Sequence, residues 1–169
     1  MILTHDVILR EIAEKRIIID PLQPDQIGPA SIDLHLGDEI RVMEGGPEVI
    51  DLTEDADYRT VTQVQRLNGT YLLKPGETIH GITREHIRLP GNICGWLEGR
   101  SRFARLGLMI HVTSGFVAPG VDNRQVLEMA NVAGRPLAIH AGTRICQLVL
   151  QRAEGSAIYQ GRFAQQERL

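Results

Sequence analysis

The sequence predicts a mainly β protein, a barrel or sandwich of short strands with one helix at its start. Short apolar segments alternate with turn sequences along most of the chain, for example at residues 74–77, 118–120 and 134–136. Helical periodicity is clear in one stretch, near the N-terminus. The chain has 169 residues, with 43% hydrophobic and 23% charged residues, which is ordinary for one globular domain with its own core.

The helix is predicted over residues 4–15, because Thr4 can cap it and Asp6 suits its first turn. Apolar residues follow at helical spacing. Strands are then predicted at residues 17–19, 30–36, 40–43, 71–73, 78–83, 92–97, 108–112, 126–131 and 145–151. The polar stretch 51–65 indicates a loop with a short strand. We expect one domain over residues 1–153 and a flexible C-terminal tail over residues 154–169, a possible lid over a bound ligand.

Composition narrows the function classes. The net charge of −3 argues against broad nucleic-acid binding, which normally requires a basic surface. No apolar run is long enough for a membrane helix, and the first residues lack a signal-peptide pattern. The two cysteines, Cys94 and Cys146, lie far apart in apolar surroundings, which favours buried free thiols. These features together predict a cytoplasmic location.

Several enzyme motifs are absent from the sequence. It contains no phosphate loop, no dinucleotide-binding glycine pattern, no Gly-x-Ser-x-Gly and no His-Glu-x-x-His. The zinc deaminase signature is also missing, so any deamination would have to activate water without zinc. The six histidines are scattered along the chain, and we expect each to be structural or exposed.

Residues 98–108 concentrate three arginines in a short segment. Arg100, Arg102 and Arg105 lie between two glycines, where a strand is predicted to pass into a short helix. Guanidinium groups match phosphate and carboxylate geometry, so the cluster points to an anionic ligand. The alternatives are surface ion pairs for the arginines and helix capping for Ser101.

In this short helix, Arg102 and Arg105 are three residues apart and share one face. Phe103 and Leu106 are then expected on the opposite, inward face. Gly107 is expected near the helix end.

Glu128 is the candidate acid–base residue. In a strand it shares a face with Val126 and Ala130, while Leu127 and Met129 point the other way. Burial would raise its pKa, and a nearby arginine would lower it. Such a carboxylate can take a proton from water and pass it to a leaving group. The alternatives are a solvated strand face or a structural ion pair.

Residues 111–120 predict a strand that runs into small residues and a tight turn. Such a backbone can approach a flat base closely and hydrogen-bond to its edge. Phe116 could then cover a sugar. The alternative is an ordinary β-hairpin.

The chain resembles the dCTP deaminase family of the dUTPase-like superfamily. The similar segments occur in order along nearly the whole chain. They are Ala30-Ser31-Ile32-Asp33-Leu34-His35-Leu36-Gly37, Lys74-Pro75-Gly76-Glu77, Gly99-Arg100-Ser101, Phe103-Ala104-Arg105-Leu106-Gly107-Leu108, His111-Val112-Thr113, Gly115-Phe116, Pro119-Gly120, Val126-Leu127-Glu128 and Gly142-Thr143-Arg144-Ile145-Cys146-Gln147-Leu148.

The resemblance implies a distorted β-barrel or jelly-roll-like fold of the dUTPase type. It also implies a homotrimer with sites between subunits, and a deoxynucleoside triphosphate, dCTP, bound with Mg²⁺. Glu128 matches the residue that activates the water attacking C4 of cytosine and then protonates the ammonia. Ser101 and Arg105 match the residues that hold this water and orient the carboxylate.

The resemblance also implies a set of substrate contacts. Arg100, and with it Arg102, is expected at phosphate, and the backbone at Ser114 is expected to read the base. The full set of implied substrate-binding residues is Arg100, Arg102, Thr113, Ser114, Phe116, Gln147, Tyr159 and Arg162.

Three positions depart from the family pattern. Arg102 replaces a second serine, and Ala118 replaces an aspartate that meets the deoxyribose and is central to dUTP hydrolysis. Ile158 replaces a lysine of the C-terminal segment that closes over the triphosphate, where Arg162 could compensate. The sequence therefore predicts zinc-independent deamination of dCTP to dUTP and ammonia. The alternatives are a dUTPase, a bifunctional deaminase and dUTPase, or a member that binds or deaminates another nucleotide.

Overall fold

A computed structural model of the chain describes residues 1–111 and 113–169. It confirms the mainly β fold, with two short helices and eleven strands among these residues. Val112, the last residue of a predicted strand, lies outside the described residues. The elements in chain order are α1 (His5–Ala13), β1 (Ile18–Asp20), β2 (Ile32–Met43), β3 (Thr62–Arg66), β4 (Thr70–Leu73), β5 (Thr78–Arg88), β6 (Ile93–Gly99), α2 (Ser101–Ala104), β7 (Leu108–Ile110), β8 (Phe116–Val117), β9 (Asp122–Asn131), β10 (Leu137–His140) and β11 (Arg144–Arg152).

Nine of the strands form one antiparallel sheet that curls into a half-barrel. Its order is β7-β9-β5-β2-β11-β6-β8, with β1 paired to β5 and β3 paired to β2. Strands β4 and β10 form a separate two-stranded sheet. Residues distant in sequence therefore become neighbours across β2, β5 and β9, the strands on which the site depends.

Alternation along β9 decides which of its side chains enter the core. Leu127 and Met129 are fully buried, together with Leu34, Leu36 and Ile79 from neighbouring strands. Glu128 lies between the two buried residues in sequence, so it projects from the other face of the sheet. The predicted orientation of Glu128 is confirmed.

Strand β2 is one continuous element where the sequence predicted two. The pairing of β2 with β5 shifts register between Leu36 and Ile40, which is the signature of a β-bulge. A Cβ at Gly37 would lie 3.0 Å from the carbonyl oxygen of Ile82, so glycine fits a close approach of two backbones. Gly37 therefore lies in a bulge within one strand, and not in a break between two strands.

Helix α2 differs from its prediction in two respects. Arg100 is the capping residue with extended backbone and Ser101 is the first helical residue, so the predicted cap at Ser101 was wrong by one position. Phe103 packs against the core as expected, but Leu106 is 62% exposed, because the helix ends before a second turn can carry it inward. Gly107 follows with a positive φ of 90°.

Both cysteines are buried and free, as predicted. Burial raises the pKa of the Cys146 thiol well above its usual range. Among the described residues, no helix is both long enough and apolar enough to cross a membrane.

The segment after β11 crosses the end of β9. The backbone N–H of Tyr159 donates to the Pro119 carbonyl at 3.0 Å, and the N–H of Arg124 donates to the Gln166 carbonyl at 2.9 Å. The Asn123 side-chain amide donates to the Phe163 carbonyl at 2.7 Å. These bonds bring the tail against the cleft described below. Its mobility stays a prediction.

Candidate active site

A cleft of about 410 Å³ opens beside β5 and β9. Its remaining walls come from the 114–118 segment and from the C-terminal tail. The lining residues that bear on chemistry are Glu128, His80, His111, Ser114, Phe116 and Tyr159. The predicted base therefore lies in a concave site that also holds three of the predicted substrate contacts.

Glu128 is the one carboxylate among the described residues that line this cleft. Its side chain is 36% exposed, so one part is solvated by the cleft and the other faces protein. Any acid–base chemistry that this wall of the cleft performs through a carboxylate must pass through Glu128.

His111 is the nearest polar partner of the Glu128 carboxylate. Its Nδ1 lies 2.5 Å from Glu128 Oε2. The His111 backbone N–H donates to the Glu128 carbonyl at 2.9 Å, which fixes the two residues relative to each other. His111 adopts a φ of +58°, a strained conformation for a residue other than glycine.

Two opposing effects act on the Glu128 carboxyl. Burial raises its pKa, whereas the His111 imidazole lowers it, with a smaller contribution from His80. The net result is a pKa below the ordinary glutamate value. Glu128 is therefore ionised at neutral pH and can accept a proton. The lowering group is a histidine, where the sequence suggested an arginine.

His80 lies directly opposite Glu128 on the neighbouring strand β5. Burial lowers the pKa of its imidazole, and the Glu128 carboxylate raises it by a smaller amount. His80 and His111 both line the cleft beside Glu128, and the expectation that each histidine is structural or exposed stays a prediction for these two. Pairing between strands that are far apart in sequence brings both histidines to Glu128. No short sequence pattern indicates this pairing.

Three predicted substrate contacts line the same cleft: Ser114, Phe116 and Tyr159. Phe116 is half exposed, so its ring is available to a ligand. Ala118 also lines the cleft and contributes only a methyl group.

The remaining predicted residues on and near α2 lie outside this cleft. Ser101, Arg102 and Arg105 are exposed. Arg100 forms an ion pair with Asp33 at 3.0 Å, which is the alternative that the sequence left open for it. Within one chain, the arginine segment and Glu128 therefore form two separate groups.

Two further predicted contacts also lie outside it. Thr113 is exposed, and Gln147 accepts a hydrogen bond from Ser31 at 2.8 Å and donates to the Gly99 carbonyl at 3.3 Å. Neither side chain lines the cleft.

Arg162 lines an adjoining cleft of about 370 Å³. Arg59 and Arg168 line it too, and Tyr58 is shared with the main cleft. Asp57 offsets part of the positive charge, since it lies 3.4 Å from Arg162 and pairs with Arg59.

No group of three or more histidine, cysteine, aspartate or glutamate side chains is arranged to hold a metal ion in the part of the chain that the structure describes.

The His111–Glu128 contact makes a testable prediction. His111→Asn keeps a residue that tolerates the positive φ but removes the ionisable ring. We expect the pKa of Glu128 to rise, because burial is then no longer offset. Carboxyl ¹³C NMR titration measures this, with His140→Asn at an exposed position of strand β10 as the matched control. An unchanged Glu128 pKa in His111→Asn would contradict the assignment.

The lowered pKa of Glu128 also predicts how the stability of the fold changes with pH. The pKa of Glu128 is lower in the folded chain than in the unfolded chain. Its ionisation therefore stabilises the fold fully at a pH above the pKa that the group has in the unfolded chain. This stabilisation is lost as the pH falls through the pKa that Glu128 has in the folded chain. His111→Asn should reduce it, which acid-unfolding curves would register.

The chain is similar to known proteins over most of its length. The family model described as "dCTP deaminase-like" matches residues 2–153. A protein of Methanobrevibacter smithii named "dCTP deaminase, dUMP-forming" is 34% identical over 158 residues, covering 89% of this chain and 79% of its own length. A protein of Rhodospirillum rubrum named "dCTP deaminase" is 40% identical over 158 residues, covering 88% and 80%.

A solved structure supports the fold. The 2′-deoxycytidine 5′-triphosphate deaminase of Agrobacterium tumefaciens superposes with a TM-score of 0.70 at 20% identity, over 90% of this chain. The present chain spans about half, 48%, of that protein. The family match over residues 2–153 and the two relatives show the family, and the solved structure agrees with the fold. The chain belongs to the dCTP deaminase-like family of enzymes.

Proposed function

We propose that this protein deaminates dCTP by hydrolysis, without zinc, in pyrimidine deoxynucleotide metabolism. The observation that carries the proposal is Glu128, an ionised carboxylate, alone of its kind among the described residues of the cleft. The names of the relatives support dCTP as the substrate. Free thiols at Cys94 and Cys146 are compatible with work in the cytoplasm.

In the proposed reaction Glu128 is both general base and general acid. It removes a proton from water as the water oxygen bonds to C4 of cytosine, and this proton passes to N3. The remaining hydroxyl proton then moves, again through the carboxylate, to the amino nitrogen. The C4–N bond breaks, ammonia leaves, and C4 keeps the oxygen as a carbonyl. A carboxylate that is ionised at rest suits the first of these steps.

The cleft offers groups for the rest of the nucleoside. We propose that the backbone at Ser114, with Thr113 beside it, reads the base, and that the exposed ring of Phe116 covers the sugar. Tyr159 would close the site from the tail. Ala118 leaves this wall apolar, so the family's usual polar contact to the deoxyribose has no counterpart here.

The triphosphate is proposed to bind the arginines and Gln147. Arg100, Arg102 and Arg162 supply guanidinium groups suited to phosphate oxygens. Mg²⁺ would bind through the triphosphate and offset its charge. In this proposal phosphate oxygens and water are the main ligands of the ion.

We further propose that the protein is a homotrimer. Ser101 and Arg105 match the residues expected to hold the water, yet both are exposed and neither lines the Glu128 cleft of its own chain. A second copy that presents its α2 segment to the cleft would bring them to Glu128. Closed cyclic symmetry then gives every subunit one complete site.

A second candidate concerns the product. The Methanobrevibacter smithii relative is named dUMP-forming, which favours loss of pyrophosphate after deamination. The support for dUTP comes from Ala118, which lines the cleft without a carboxylate where the family has an aspartate that is central to dUTP hydrolysis. We propose dUTP as the product and dUMP as the competing candidate.

The first prediction concerns activity. Glu128→Gln keeps the shape of the side chain but cannot accept a proton, so the rate of ammonia release from dCTP with MgCl₂ should fall by about 10²–10⁴-fold. A coupled ammonia assay measures this, and a thermal melt checks that the variant is folded. A folded wild-type protein that releases no ammonia from dCTP would refute the proposal.

The second prediction separates the two products. With dCTP and MgCl₂, ³¹P NMR should show a triphosphate retained in full while ammonia accumulates, and dUTP added as substrate should stay intact. Stoichiometric pyrophosphate from either nucleotide would establish the dUMP-forming candidate instead. Glu128→Gln then tells whether one carboxylate serves both reactions.

The third prediction tests the shared site. Glu128→Gln and Arg105→Ala should each be inactive alone, but co-expressed subunits should regain about a quarter of the activity, because one site in four combines two intact residues. Co-expression of Glu128→Gln with the double variant Glu128→Gln/Arg105→Ala is the control and should stay inactive. Light scattering gives the subunit number. No recovery in the hybrids would contradict a site built from two copies.

A further inference from the structure

Three polar side chains form a row across the sheet, and two of them, His80 and Glu128, line the cleft. Arg41 on β2 pairs in register with His80 on β5, and His80 pairs in register with Glu128 on β9. Residues opposite each other in an antiparallel pair project from the same face. The row therefore brings a cation, an imidazole and a carboxylate side by side, although 87 residues separate its ends in sequence.

The surroundings of His80 hold its ring in one orientation. The Tyr58 ring meets it edge-on, with centroids 5.4 Å apart and planes at 73°. Arg41 is buried, lies over Tyr58 at 5.4 Å and donates to the Thr62 carbonyl at 3.2 Å. A ring packed between these groups has little freedom to turn.

The same surroundings favour a neutral imidazole. Burial lowers the pKa of His80, and the Arg41 charge lowers it further, against the opposite effect of Glu128. Nδ1 is shut off from solvent and has no hydrogen-bond partner among the described residues. A buried N–H without an acceptor is rarer than a buried acceptor without a donor, so we assign the ring proton to Nε2, the nitrogen left to face the cleft.

His80 and Glu128 do not contact each other as a direct ion pair. No nitrogen of His80 lies within the 4.0 Å ion-pair distance of a Glu128 oxygen, although their backbones are directly opposite. Two hydrogen bonds of ordinary length that meet at one oxygen separate their outer atoms by about 4.6 Å. A polar contact across such a gap is typically made through a small bridging group.

We propose that His80 is a second catalytic residue, whose Nε2–H hydrogen-bonds the oxygen of the water that Glu128 deprotonates. This inference rests on the proposed deamination. The oxygen that His80 binds is the one that bonds to C4, so the same donor stays in contact while it becomes the C4 hydroxyl and then the carbonyl. His80 itself gains and loses no proton. It acts as a preorganised donor to developing negative charge.

The charged and titratable groups around His80 define its pH dependence. They are Arg41 from β2, Tyr58 from the turn before β3, Glu128 from β9 and, beyond Glu128, His111. When His80 gains a proton in acid, the imidazolium attracts the Glu128 carboxylate and weakens it as a base. Activity should therefore fall as the pH drops through the titration of His80, below the ordinary histidine value of 6.5.

Two substitutions test the role. His80→Leu removes the donor and fills a similar volume, and kcat for dCTP with MgCl₂ should fall by on the order of 10²-fold with KM nearly unchanged. His80→Gln keeps an N–H donor and should recover at least about tenfold of that loss. His140→Gln, an exposed histidine on β10, is the matched control and should keep the wild-type kcat.

The pH profile gives a readout that a packing role would not change. In His80→Gln the acid fall of kcat/KM should lose the step that comes from His80, while the contribution of Glu128, whose pKa lies below its ordinary value, remains. This measurement decides the question even if His80→Leu does not fold.

The outcomes separate the two proposals. Full kcat in folded His80→Leu, or an unchanged acid step in His80→Gln, overturns the role of His80 while Glu128→Gln still inactivates the enzyme. Wild-type protein without activity toward dCTP overturns both.

Discussion

The register between β5 and β9 is the constraint on which the site depends. It pairs His80 with Glu128 and Gly81 with Leu127, so the carboxylate faces the cleft while Leu127 enters the core. A shift by one residue would exchange these faces, placing a charged group among fully buried apolar side chains. The buried face of the sheet thus fixes the position of the Glu128 carboxylate in the cleft.

Within that frame, the chemistry of Glu128 comes from a balance of two effects. A cleft that excludes part of the solvent raises the pKa of a carboxyl group, which alone would leave a poorly ionised base. His111 reverses the shift from a strained backbone conformation that the β7–β9 contact holds in place. His80 supplies a neutral polar group on the other side. The result is an ionised base in a partly dry site, which is the combination that water activation needs.

Within one chain, the predicted site residues on α2 lie apart from the cleft that contains Glu128. Helix α2 begins at the far end of β6, and its exposed serine and arginines lie away from Glu128. The tail, in contrast, is bonded to β9 by its backbone and contributes Tyr159 and Phe163 to the cleft wall. In the proposed function, assembly and tail closure are therefore separate requirements for a complete site.

The sequence by itself determined most of the strands, the buried thiols and the face that Glu128 presents, because these follow from alternation and composition over a few neighbouring residues. Local motifs also identified the family. The tertiary structure alone decided that β2 is continuous, since the bulge at Gly37 depends on the approach of Ile82 from another strand. It likewise decided that His80 and His111 adjoin Glu128. Those contacts arise from pairing between distant strands, and such pairing is set by the packing of the whole core rather than by any short pattern.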